Sequence, residues 1–143
     1  MPQYPIEFKA NTALTSGINN PWSTQSQGFP PLSLDIPQAF EGKGNGLSPE
    51  DLYLLAITNC FAATFKYAAE KSKLAFDKME IDSTLEVNFN TEKKLVMDKV
   101  ILQISIFGIN DRGRAERLLA KIEGQCLILN SVQTQIIFNY LFL

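Results

Sequence analysis

Residues 46–65 read GLSPEDLYLLAITNCFAATF, and this stretch decides how the rest of the chain is arranged. Ser48 supplies an N-cap oxygen, and Pro49 suits the first helical position. Glu50 and Asp51 place negative charge at the positive end of the helix, and Asp51, three residues after Ser48, makes a capping-box-like pattern. A helix is predicted from Pro49 to about Lys71. It is apolar nearly all round as far as Phe65, then becomes amphipathic through Lys66, Glu70, Lys71 and Lys73. A helix apolar on every side is a buried one. Its Ala56, Cys60 and Ala63 form a small-residue stripe that would admit another helix at close range. Cys60 is either a small core residue or a reactive thiol in a protected pocket, and the stretch alone leaves both readings open.

Upstream, residues 4–10 (YPIEFKA) alternate Ile6 and Phe8 with Glu7 and Lys9, the pattern of a short strand. Residues 11–31 are rich in Asn, Ser, Thr, Gln, Gly and Pro, and predict a loop-rich hairpin with at most a short strand. LSLDI, 32–36, alternates again and stops at Pro37, and EGKGNG, 41–46, is a flexible connection. Downstream, TLEVNF within 79–90 and the run 95–107 read as two strands paired in a hairpin around the polar turn 90–94. Asn110 or Asp111 caps a helix whose Ala115, Leu118, Leu119 and Ile122 follow helical spacing, and Gly124 ends it. Cys126 follows at once, at the start of a short helical turn, CLILNS. The chain closes on VQTQIIFNYLFL, a strand with Ile136, Phe138, Tyr140 and Phe142 on one face. The arrangement is an α+β plan: antiparallel sheet, segregated helices and one long central helix.

The 143 residues and 45% hydrophobic content suit one soluble domain spanning 1–143. A net charge of −2 offers no basic field for nucleic acid. MPQYPIEFKA has no basic region leading into an apolar run, so no secretory signal is expected and a cytoplasmic location is. Residues 52–65 fall short of the ~20 apolar residues a bilayer needs, with Thr58 and Asn59 interrupting, so no membrane partner is expected. The chain has no histidine, which removes Ser-His-Asp and Cys-His catalysis and every histidine-containing metal site. Its two cysteines, Cys60 and Cys126, suit neither a disulfide scaffold nor a structural zinc site. They are two inert core thiols or one redox pair.

Four features together resemble the OsmC/Ohr family of thiol-dependent organic hydroperoxide reductases. AFEGKGNGLSPEDL, 39–52, is similar to the family's Gly-rich connection and its N/S-P-E-x-L helix start. Cys60, ten residues after Glu50, stands where the family keeps its first cysteine. Cys126, just after an amphipathic helix, stands where it keeps its second. The order of strands and helices agrees. The resemblance implies an OsmC-like fold built as an intertwined homodimer, with two central helices packed together, sheets drawn from both chains and the active site at the dimer interface. It implies that Cys60 attacks an organic hydroperoxide and becomes a sulfenic acid, and that Cys126 closes a disulfide with it. An external dithiol, lipoyl-linked in one branch, then restores both thiols, with no cofactor and no metal. Glu50 matches the family's active-site glutamate.

The chain also departs from the family pattern. No arginine precedes Arg112, and Ala39 in QAFEG stands where one branch places its arginine. Leu127 stands where the second cysteine is usually followed by proline. Cys60 is mid-helix and gains little from the helix dipole, which acts in the terminal turns. Lys9 and Lys43 are the candidate substitute cations. Cys126, by contrast, is expected to be favoured as a thiolate by the short helix that begins there. Two functions therefore stand side by side: a thiol peroxidase acting through Cys60, Cys126 and Glu50, or a weakly active or inactive OsmC-like dimer that binds an apolar ligand or senses redox state.

Overall fold

A computed structural model describes residues 2–143. It divides into two compact units, one ending at Leu52 and the other running from Tyr53 to Leu143. The first holds an antiparallel sheet ordered β1 (Ala10–Ala13), β2 (Trp22–Ser26) and β3 (Leu32–Leu34). The strand expected over 4–10 is displaced: it begins only at Ala10 and runs on to Ala13. Pairing, not alternation, selects it. Phe8 is 91% exposed outside either sheet. Ala10–Ala13 lies in register with β2, and the Thr12 and Thr24 hydroxyls meet at 2.8 Å across the pair.

After β3 the connection is closed, not loose. The buried Asp35 carboxylate accepts the N–H groups of Ile36 and Asn45, each at 2.9 Å. A side chain at Gly42 would meet the Ile36 carbonyl at 2.0 Å, so only glycine lets the loop fold back so tightly. The long helix α1 (Pro49–Ser72) follows. Its capping box forms as the spacing requires: the Ser48 N–H donates to Asp51 Oδ2 at 2.8 Å and the Asp51 N–H to Ser48 Oγ at 3.0 Å.

The second unit carries a sheet ordered β4 (Lys78–Phe89), β5 (Leu95–Phe107) and β6 (Gln135–Phe142). The β4–β5 hairpin closes where the polar turn placed it, with Asn90 Oδ1 accepting the N–H groups of Glu92 and Lys94. Between β5 and β6 lie α2 (Arg112–Ile122), capped by Asp111 on the Arg114 N–H, and the single turn α3 (Leu127–Asn130). This helical crossover returns the chain to the end where β5 began, so β6 pairs with β5 parallel, where an antiparallel sheet was expected.

The core is the inner face of β5, with Val100, Leu102, Ile104 and Ile106 at most 1% exposed. Ile57, Phe61, Phe65 and Ala69 of α1 and Ala115, Leu119 and Ile122 of α2 pack over it. Burying each large aliphatic or aromatic side chain contributes about 1.5–3 kcal/mol. The i, i+4, i+8, i+12 row of α1 is the face that the sheet covers. The opposite flank is not covered: Leu55 is 47% and Tyr67 67% exposed, and Ala56 and Ala63 are exposed between them. The helix is apolar on two sides, and this chain occupies one.

Candidate active site

Cys60 and Cys126 are 66 residues apart in sequence, and the fold brings them together. Cys60 sits on α1 one residue before the buried Phe61, so its side chain lies at the margin of the covered face, half-buried. Phe61 locks that part of the helix, packing against Phe138 of β6 with ring centroids 5.5 Å apart and the rings tilted at 46°. Cys126 is the N-cap residue of α3 and is fully buried. Both thiols are free.

The hydrogen bonds distinguish the two sulfurs. Ile128, in the first turn of α3, donates its backbone N–H to Cys60 Sγ at 3.3 Å. That N–H is one of the donors a helix start leaves without an internal partner. The Cys60 sulfur is thus placed as a hydrogen-bond acceptor at the start of α3. Cys126 does the opposite: it caps nothing, and its Sγ donates to the Ile122 carbonyl at 3.3 Å. Burial above all pushes the Cys126 thiol up from its ordinary value. A hydrogen bond from Thr64 opposes this, and the neighbouring Cys60 sulfur and the Glu123 carboxylate add smaller pushes upward. The expectation that the short helix favours a Cys126 thiolate is therefore reversed. Cys126 turns its sulfur away from the α3 donors, and the first-turn N–H reaches the cysteine on the other helix.

Three further residues complete the surroundings. Thr64, one turn after Cys60, donates its hydroxyl to the Cys60 carbonyl at 2.7 Å. Glu123, the C-cap residue of α2, accepts the Tyr140 hydroxyl of β6 at 2.6 Å. Tyr140 is pushed far up, first by burial and then by that carboxylate. None of these was singled out from the sequence. Glu123 had a local signal, a carboxylate three residues before a cysteine; the role of the Ile128 N–H had none, because a backbone donor leaves no mark in composition.

Glu50 is not part of this cluster within one chain. It stands ten residues before Cys60 on α1, about 15 Å along the axis. Its Oε2 is shielded from solvent and has no hydrogen-bond partner among the described residues. Nor do those residues contain a group of three or more acidic or cysteine side chains able to hold a metal ion.

The OsmC-like protein family model matches residues 42–140, which span α1, both cysteines and most of β6. The chain belongs to the OsmC-like family. Its solved relatives include an OsmC-like protein of unknown function from Vibrio cholerae, with a TM-score of 0.85 at 15% identity, covering 95% of this chain and 99% of that one. An organic hydroperoxide resistance protein from Legionella pneumophila superposes with a TM-score of 0.75 at 21% identity, covering 98% of each chain. In sequence, YmaD of Bacillus subtilis is 26% identical over 137 residues, 93% of this chain and 89% of YmaD. As an OsmC-like protein this chain shares the α+β fold of these structures, and it lies at the divergent edge of the family.

Proposed function

We propose that this OsmC-like protein is a homodimeric, cysteine-based reductase of organic hydroperoxides. The observation that carries the reading is the 3.3 Å hydrogen bond from the Ile128 N–H to Cys60 Sγ, beside a Cys126 held protonated. It supports a reading in which Cys60 is the nucleophile and Cys126 the resolving thiol. Thiolate is the attacking species, and among the described residues Ile128 is the donor that Cys60 has in place of an arginine.

In this reading the Cys60 thiolate attacks the distal peroxide oxygen. The S–O bond forms as the O–O bond breaks, sulfur is oxidised to sulfenic acid, and the alkoxide takes a proton and leaves as an alcohol. Cys126 then displaces the sulfenic oxygen as water and closes the Cys60–Cys126 disulfide. An external dithiol, lipoyl-linked in the resembling branch, returns both thiols. The apolar surroundings of Cys60 favour alkyl over hydrogen peroxide.

The second copy has a physical basis. The uncovered flank of α1 presents Leu55, Ala56, Ala63 and Tyr67, and Tyr4, Phe8, Leu14 and Phe29 of the first unit are 70–91% exposed. Exposed apolar side chains of this kind support pairing with a second copy. In this reading Glu50, three turns from its own Cys60 along α1, serves the Cys60 of the other copy.

The test is stopped-flow reaction of reduced protein with one equivalent of cumene hydroperoxide, with mass readout, for wild type, Cys60→Ser and Cys126→Ser. Consumption should be fast in wild type and absent in Cys60→Ser, with an intramolecular disulfide only when Cys126 is present. A rate equal to that of a free thiol, unchanged by Cys60→Ser, would leave the binding-module reading instead.

A further inference from the structure

The cations of α2 are not all used alike. Arg112 pairs with Glu116, the one carboxylate within the helix, at 3.0 Å. Arg114, Arg117 and Lys121 form no ion pair among the described residues. Their spacing, i, i+3, i+7, puts all three on one face, over ~10 Å of helix axis. Like charges three and four residues apart destabilise a helix, so nothing within this chain favours that face. It borders a cleft of about 410 Å³ between α2 and the end of α1. Arg114 is half-buried there and donates to the Ser72 carbonyl, closing the last turn of α1. Arg117 and Lys121 stand exposed along the cleft. Leu74, buried, and Leu118, half-buried, are its apolar residues, and no carboxylate lines it. Leu55, Ala56, Ala63 and Tyr67, the flank of α1 offered to a second copy, take no part in it.

We propose that this cleft is a docking surface for an acidic protein segment, with carboxylates on Arg117 and Lys121 and an apolar side chain against Leu74 and Leu118. Charge complementarity carries the choice of partner. The cations are strung along the helix, which suits successive carboxylates on a peptide chain, whereas a lone phosphate suits cations that converge on one point. A nucleic acid draws on a broad positive field, and the chain as a whole carries −2. A membrane surface does not reach into a cleft between two helices, but a side chain does. The apolar floor gives such a segment a contact that salt does not screen, beside ion pairs that it does. The inference is independent of the peroxidase reading, since no residue of the cleft enters the chemistry of Cys60.

The test is fluorescence anisotropy of the whole protein with a fluorescein-labelled peptide, Glu-Glu-Leu-Glu-Glu-Leu-Glu-Glu. Two controls replace every Glu by Gln or every Leu by Ser. The acidic peptide should bind, more weakly as salt rises, and both controls should bind less well. The double variant Arg117→Gln, Lys121→Gln should weaken binding about fivefold or more, the loss of two partly exposed ion pairs. Arg114 is left in place because it closes α1. The charge-keeping pair Arg117→Lys, Lys121→Arg should bind within about twofold of wild type. Removing like charges from one helix face should leave the melting temperature of the double variant equal or higher, whereas cations with a merely structural role would lower it. Peroxide consumption by Cys60 should be the same in all of them. No binding of the acidic peptide, or equal binding by wild type and the double variant, overturns the inference and leaves the peroxidase reading standing. So does tighter binding, through the same two residues, of a 12-base-pair DNA duplex or of phosphatidylglycerol vesicles, which would give the face to a different class of partner.

Discussion

Two cysteines with the same side chain have opposite hydrogen-bond roles here because of what each sulfur faces. Cys60 accepts a backbone N–H, whereas Cys126 donates to a carbonyl in a dry site. Iodoacetamide at pH 7.5 should therefore alkylate Cys60 first, with Cys126 modified only once the protein is unfolded; peptide mass mapping over time reads the order. The same asymmetry bears on stability. The Cys126 pKa lies above its ordinary 9.0 and the Tyr140 pKa above its ordinary 10.0 in the folded protein. Below those values both groups are protonated folded or unfolded, and their full contribution is present. As pH rises past them, the unfolded chain releases the protons first and folding stability falls. The melting temperature should drop between pH 8.5 and 10.5, and less steeply in Cys126→Ala. Circular dichroism melts at the two pH values measure this.

Among the elements, α3 and the start of α1 carry predictions of their own. Leu127 is the first residue of α3, 74% exposed, and follows a Cys126 already extended at φ −77° and ψ 113°. Proline suits such a first position and tolerates an extended predecessor. Leu127→Pro should stabilise the protein by about 0.4–1 kcal/mol, raising the melting temperature by about 1–4 °C, through a less flexible unfolded chain. It keeps the Ile128 N–H, so peroxide consumption should be unchanged. Ile128→Pro deletes that N–H and should slow Cys60 oxidation in the stopped-flow assay. At α1, Asp51→Ala removes one arm of a reciprocal cap and should cost about 0.5–2 kcal/mol in urea denaturation.

For the whole molecule, α1 is the central fact. One side closes the second unit over β5, and the other side has nothing from its own unit over Leu55 and Tyr67. Sedimentation should give a dimer for wild type. Ala63→Arg places a charge on the uncovered flank, away from the Ile57–Phe61–Phe65 row, and should yield monomer. If Glu50 acts from the second copy, that monomer should lose peroxidase activity while keeping its helical circular dichroism.

The sequence by itself determined the elements whose cause is local. Ser48 and Asp51 set where α1 begins, alternation set β5 from Leu95 to Phe107, and Asp111 and the spacing Ala115–Leu119–Ile122 set α2. Each is a hydrogen bond or a periodicity within a few residues. Alternation misled only at residues 4–9, where no neighbouring strand answers it. The tertiary structure alone decided the parallel partner of β5, the side of α1 that the core takes, and the site itself. Which cysteine receives the Ile128 N–H depends on how α1 and α3 cross, a contact across 68 residues. The Tyr140–Glu123 pair likewise joins the last strand to the end of α2. Such contacts arise from packing the whole unit, and no short stretch of sequence encodes them.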